Sequence, residues 1–376
     1  MNARLLGLAC TLPLTLLACS GASSPGAAQS EDANRPFEVA AVGTFDAPWA
    51  MAFLPDGKML VTQKQGAMIL FDPASGSKQT IPGTPAVVST GQGGLMDVVP
   101  APDFTKSRKI YFSYSEPGES KTNGVALATA TLDEEAPALK EMKVIFRATP
   151  YIQSAAHWSG RIAFSPDNKY LFFTNGERAK ADPAQDPKST LGKVLRLNLD
   201  GTPAVGNPLA AKGFHPAIWS YGHRNLTGIA FDKDGRLWEV EMGPLGGDEI
   251  NLIKPGLNYG WPKASNGSNY DGSDIPDHKP GDGYQPPKLF WNPSLAPAAL
   301  AYYNAALFPA WRNSLFVTGL SGMALERVAL NGENASKADR WDMGARIRSV
   351  RVGPDGALWL LEDGPGGRLL KLTPRH

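Results

Sequence analysis

Cysteine is almost missing from this chain: Cys10 and Cys19 are the two in 376 residues, and none follows Cys19. Beyond that point disulfides, a thiol nucleophile, a thiolate metal site and an iron–sulfur cluster are excluded. Net charge is missing too, with 37 Lys and Arg against 36 Asp and Glu, so no bulk attraction to nucleic acid is implied. No glycine-rich phosphate loop occurs, which leaves a nicotinamide or ATP site without support, and no Gly-x-Ser-x-Gly elbow is present. The five histidines are His157, His215, His223, His278 and His376, and no two share zinc-ligand spacing. Helical periodicity is nearly absent.

What is present is a repeat. Short apolar runs meet a Pro/Asp/Gly turn and leave again at 51–62, 95–114, 161–175, 229–241, 299–318 and 350–362. Gly 40 and Pro 32 fall between these runs, as turn punctuation. Six such units predict an all-β, six-bladed β-propeller in one closed domain, with its chemistry gathered at one central mouth. Extra length at 176–220 and 243–298 predicts ordered loops over one face, anchored by Trp219, Tyr259, Trp261 and Trp291. The ends, 37–43 and 368–374, read as strands that pair in one blade and close the ring.

The start of the chain is different in kind. A positive MNAR, an apolar stretch too short to span a bilayer, and Leu16-Leu17-Ala18-Cys19 form a processing signal. Leu-Leu-Ala-Cys resembles a bacterial lipobox, cut before a Cys that then carries lipid; a plain secretory signal cut a little later is the alternative. The expected organisation is a signal at 1–18, a small, polar tether at 19–36 with Cys19 lipidated, and the propeller at 37–376. Ser20 after the Cys resembles lipoproteins sorted to the outer membrane, so export to the periplasmic face is expected.

Candidate chemistry lies between the repeats. His157, in AAHWSGR, precedes the third unit, and Glu177 follows that unit's second strand, so the two could be neighbours as base and orienting carboxylate. In YGHRN, Arg224 and Asn225 could bind a carbonyl or carboxylate edge, although an Arg there serves equally well as a donor to loop carbonyls. MGPLGGDEINL (242–252) combines a turn with paired acids that would suit Ca²⁺, while turn acids are commonly just solvated. Arg346 and Arg348 alternate along one strand face, a repulsive pair unless an anion or acids lie opposite.

Seven segments, taken in order, resemble the glucose/sorbosone dehydrogenase family of soluble quinoproteins. They are GQGGLMDV with a following PDF, HWSGR, LGKVLRLNLDG, YGHRN, GPLGGDEINLI, LNYGWP and RIRSVRVGPDG, and the likeness covers essentially all of 37–376. It implies a six-bladed propeller with pyrroloquinoline quinone (PQQ) over the mouth and Ca²⁺ beside the quinone. By this resemblance His157 is the general base and Glu177 its partner. Gln92, Arg224, Asn225 and Tyr270 contact PQQ, with Arg224 polarising the quinone carbonyl. Gly243 and Pro244 offer carbonyls to a catalytic Ca²⁺, Glu249 and Tyr259 hold a second, structural Ca²⁺, and Arg346 and Arg348 face the PQQ carboxylates.

The implied reaction is oxidation of an aldose at its anomeric carbon to a lactone, with proton to His157, hydride to PQQ and electrons onward to an external acceptor. The chain departs from better-known glucose-oxidising members at Ser321, where they carry Lys, at Ala156, where they carry an acid, and at Ala101, where they carry His. These changes put glucose preference and the strength of PQQ binding in question. Two other classes remain open. A Ca²⁺-dependent propeller lactonase would want several converging acids and Asn. A non-enzymatic carbohydrate- or partner-binding propeller would not need His157, Arg224 and the arginine pair together.

Overall fold

A computed structural model describes residues 35–375. The expected signal, Cys19 and most of the tether lie outside them. The described residues form six four-stranded antiparallel sheets. Five blades are consecutive in sequence, at 48–81, 95–147, 159–221, 226–291 and 297–342. The sixth combines three strands from 347–374 with Phe37–Phe45, which pairs in antiparallel fashion with Gly367–Pro374. Each of the six sequence repeats is the first hairpin of one blade.

The first strand of every blade contacts the first strands of both neighbouring blades, so the six close into a ring. Blade faces are apolar because they are covered on both sides. Six hydrophobic clusters occupy the six interfaces between blades; Leu171, Leu195 and Ile162 of the third blade, for example, meet Tyr111, Val125 and Leu127 of the second. Each fully buried side chain of this size contributes about 1.5–3 kcal/mol. Phe37 brings the amino-terminal strand into one cluster, meeting Trp311 and Trp341 edge-on. The expected ring closure is therefore formed by both ladder and packing.

Every blade's first strand carries a register shift near its start, at Pro48/Ala50, Leu95/Val98, Ser159/Ile162, Leu226/Gly228, Pro297/Ala299 and Ile347/Ser349. A bulge bends a strand and re-aims its side chains. The residues skipped include Trp49, Asp97, Arg161, Thr227, Ala298 and Arg348. Four of these, Trp49, Thr227, Ala298 and Arg348, line the mouth cavity. The other two join Arg351 in a polar hub that ties all six blades. Asp97 accepts from Arg161 Nη1 (3.4 Å), Arg351 Nη2 (3.1 Å) and the Ile162 amide (3.0 Å). Arg161 also donates to the carbonyls of Thr227 and Ala298, and Arg351 to that of Met51.

The extra length at 176–220 and 243–298 is only partly loop. It contains the outer strands Lys193–Asn198, Ile218–Tyr221, Asp248–Ile253 and Leu289–Trp291. The connections that remain are 176–192, 199–217, 242–247 and 254–288.

Candidate active site

His157 enters the third blade in a left-handed conformation (φ 51°), as does Ser159 (φ 60°), a costly backbone for residues with a Cβ. The surroundings hold it there. Its amide donates to Gln92 Oε1 (2.8 Å), and its Nδ1 lies 2.6 Å from Glu177 Oε1. The hairpin can close this tightly because position 176 is glycine: a Cβ there would stand 2.1 Å from the His157 carbonyl oxygen. Glu177 Oε2 accepts from the amides of Lys180 (2.5 Å) and Ala181 (3.0 Å). Burial alone would raise the Glu177 carboxyl; its bond to His157, the imidazole charge and the two amides outweigh this and hold it below the ordinary range. An ionised Glu177 fixes the proton on Nδ1 and leaves Nε2 as the basic nitrogen.

Arg178 secures the same segment from behind. Its guanidinium lies 3.3 Å from the Trp158 ring centroid and donates to the carbonyls of Ala156 (3.0 Å) and Ser154 (2.7 Å) and to Asn123 Oδ1 (2.8 Å). Burial pushes it down to about 9, still a cation at neutral pH.

Arg224 is 5 % exposed. Its amide donates to Glu241 Oε2 (2.6 Å), Nη1 to the carbonyls of Met242 (3.0 Å) and Gly243 (2.7 Å), and Nη2 to the Tyr270 hydroxyl (3.2 Å). Trp261 and Tyr270 stack on it as cation–π partners. It serves as a donor to loop carbonyls, and its buried Nε has no hydrogen-bond partner. Asn225 accepts from Ser159 Oγ (3.3 Å), linking this loop to the His157 strand.

Between these groups lies a cavity of about 100 Å³ lined by Trp49, Gln92, Trp158, Asn225, Arg346 and Arg348, among others. It continues past Trp49, Gln92 and the two arginines into a cleft of about 390 Å³. His157 is adjacent to the cavity wall, next to Trp158, and not part of it. The repulsion between Arg346 and Arg348 is answered within the chain: both Nε atoms donate to Asp363, at 2.9 and 2.8 Å. Burial would raise the Asp363 carboxyl, but the Arg348 charge and the bonds from both arginines hold it below the aspartate range. Two cations on one anion leave this end of the cavity net positive.

The turn after the fourth blade's second strand brings the expected metal ligands together incompletely. The Gly243 carbonyl accepts from Arg224 Nη1, and the Pro244 carbonyl follows in the same turn. Glu249 and Tyr259 share a small cavity with Glu241, Gly247 and Trp261. The Tyr259 phenol is spent, donating to the Leu252 carbonyl (2.7 Å) and accepting from the Lys254 amide (2.8 Å), so only its own carbonyl is available to a cation. Glu239 and Glu249, fully buried beside Glu241, are both held well above the ordinary carboxylate range, by burial first and by the Glu241 charge second.

The sequence model of the Glucose / Sorbosone dehydrogenase family matches residues 45–371. The chain belongs to this family. Aldose sugar dehydrogenase YliI of Escherichia coli (strain K12) is 40% identical over 340 residues, covering 88% of this chain and 91% of that protein. The crystal structure of the E. coli soluble aldose sugar dehydrogenase in its apo-form superposes with a TM-score of 0.86 at 39% identity, covering 90% of this chain and 100% of that one. The PQQ-bound form of aldose sugar dehydrogenase from Streptomyces coelicolor gives 0.74 at 32% identity, covering 90% and 98%.

For a member of the glucose/sorbosone dehydrogenase family the donor set suits a flat, polyanionic quinone. Trp49 and Trp158 offer apolar surface, Arg346 and Arg348 a positive end, and Arg224 an unspent buried donor. Several participants escaped the sequence reading. Trp158 sits inside the HWSGR motif, and Glu239 and Glu241 alternate in an otherwise apolar strand, WEVE; both were visible signals. Asp363 and Trp49 carried none, since only the ring brings them to the mouth.

Proposed function

We propose that this protein oxidises the anomeric carbon of aldose sugars to lactones with PQQ and Ca²⁺. The observation that carries the reading is the His157–Glu177 pair set beside a cavity whose far end is the Arg346–Arg348 cation pair. PQQ, when bound, supplies the acceptor for the hydride that leaves the anomeric carbon. Trp49, Trp158, Gln92 and Asn225 would hold it, with Arg346 and Arg348 at its carboxylates. Gly243 and Pro244 would hold the catalytic Ca²⁺ through their carbonyls, and the ion would supply Lewis-acid stabilisation of developing negative charge. Glu249 and the Tyr259 carbonyl would hold a structural Ca²⁺.

The chain's own groups do three things. His157 Nε2 takes the proton of the anomeric hydroxyl, and Glu177 steadies the imidazolium that results. Arg224, fixed by Glu241 and two carbonyls, presents Nε to an oxygen gaining negative charge, where a preorganised donor acts without reorganising. Gln92 and Arg178 keep the His157 backbone in place. We further propose that the chain is exported, tethered by lipid on Cys19, and passes its electrons to an external acceptor. Palmitate incorporation lost in Cys19→Ala tests the anchor.

The test of function is reconstitution: PQQ and Ca²⁺ are added to chelator-treated protein and dye reduction is followed over a panel of aldoses. Lactone production coupled to dye reduction is expected. Hydrolysis of gluconolactone without dye reduction, or no turnover of any aldose, would overturn the reading.

A further inference from the structure

A second strongly polar site lies behind Arg224, inside the fourth blade. Strands Leu237–Glu241 and Asp248–Ile253 are buried throughout, yet their cross-strand pairs Glu239–Asn251 and Glu241–Glu249 place three carboxylates and an amide on one face. His223 joins them, its Nδ1 3.2 Å from Glu241 Oε1, its ring stacked on Tyr259. The donors are too few for the acceptors. Asn251 Nδ2, with two hydrogens, faces Glu239 (3.3 Å), Glu241 (3.0 Å) and Glu249 (3.3 Å). Glu239 Oε1 and Asn251 Oδ1, both on residues with no exposed surface, have no partner at all. Buried carboxylates in this state require a cation or protons.

We propose that His223, Glu239 and Glu241 bind a first-row divalent cation, of the Zn²⁺ or Mn²⁺ class, as a structural site that adjoins the Ca²⁺ position proposed at Glu249 and Tyr259, Glu249 being the cross-strand neighbour of Glu241. One ligating atom from each of the three lies within 4.8 Å of the others. The 3.2 Å Nδ1–Oε1 spacing is that of neighbouring ligands around a metal with bonds of about 2.0–2.2 Å. An imidazole among carboxylates favours a transition ion over Ca²⁺, which takes oxygen alone. His223 Nε2 lies 2.9 Å from Ser220 Oγ, the outer partner that would take its N–H and leave the Nδ1 lone pair to the metal. Asn251, cross-strand from Glu239 and with its Oδ1 unpartnered, would offer a fourth ligand. Glu241 uses its other oxygen on the Arg224 amide, so the ion would fix the loop that carries Arg224.

The site does not depend on the PQQ reading, and its test reads metal rather than turnover. Full-length chain is stripped with EDTA, returned to excess Ca²⁺, and titrated with Zn²⁺ and, separately, Co²⁺. One equivalent bound per chain, a visible Co²⁺ d–d spectrum and a raised Tm are expected. Glu239→Gln should weaken binding at least about tenfold, while Glu249→Gln leaves Zn²⁺ stoichiometry at one. Absence of Zn²⁺ and Co²⁺ binding in the wild-type chain, or wild-type affinity in Glu239→Gln, overturns the proposal. Should Glu239→Gln not fold, the wild-type titration and His223→Gln decide it by the same criteria.

Discussion

Glu177 Oε1 stands 2.6 Å from His157 Nδ1 across the open end of one β-hairpin, while Glu177 Oε2 is held by two backbone amides. The carboxylate is therefore fixed before any substrate arrives, and it fixes the imidazole tautomer in turn. Glu177→Gln keeps the shape but removes the charge that stabilises imidazolium. Turnover should fall about 100-fold or more, with PQQ affinity unchanged, as measured by stopped-flow reduction and cofactor titration.

The hairpin owes its closeness to Gly176, whose Cα faces the His157 carbonyl so tightly that a Cβ would stand 2.1 Å from it. Gly176→Ala must push the two strands apart. A loss of about 1–3 kcal/mol of stability is expected, accompanied by a lower kcat as His157 and Glu177 separate. Denaturant unfolding and steady-state kinetics on the same preparation check both.

Acid should act late on this pair. The Glu177 carboxyl titrates below its ordinary value of 4.5 in the folded chain. Its contribution to stability is complete above that value and is lost as pH falls through the lower folded-state value. The difference in Tm between wild type and Glu177→Gln should begin to close only as pH falls below 4.5.

Much of this was legible in the sequence, and the part that was not has a physical reason. Six hairpins with Pro, Asp and Gly turns announce themselves locally, and so do His157 and Arg224 in their motifs. Residues 37–43 and 368–374 could be paired because a ring has one seam. The bulges could not be read, since a register shift is a relation between strands. With them went Trp49, Asp97 and the aim of Arg161. Asp363 is hidden for a similar cause: it answers the repulsion of Arg346 and Arg348 from the turn that follows the strand Leu358–Glu362. The outer strands at 193–198 and 248–253 fall within the segments expected as loops, because long connections at 176–192, 199–217 and 254–288 separate them from neighbouring strands.

Asp97 is the anion at the centre of the ring, shared by Arg161 and Arg351. Asp97→Asn leaves those two guanidiniums without a counter-charge in a buried place. Stability should drop by about 3–5 kcal/mol, and the loss should be cooperative, because the hub touches every blade. Urea unfolding followed by tryptophan fluorescence measures it.

The central claim is that His157 is the base for sugar oxidation at a PQQ site built around the mouth. It is tested most directly by loading wild type and His157→Ala with PQQ and Ca²⁺ and following quinone absorbance after an aldose is mixed in. The account predicts equal PQQ affinity in the two proteins, rapid bleaching in the wild type and none on the same timescale in His157→Ala. Bleaching at the wild-type rate in His157→Ala would contradict it.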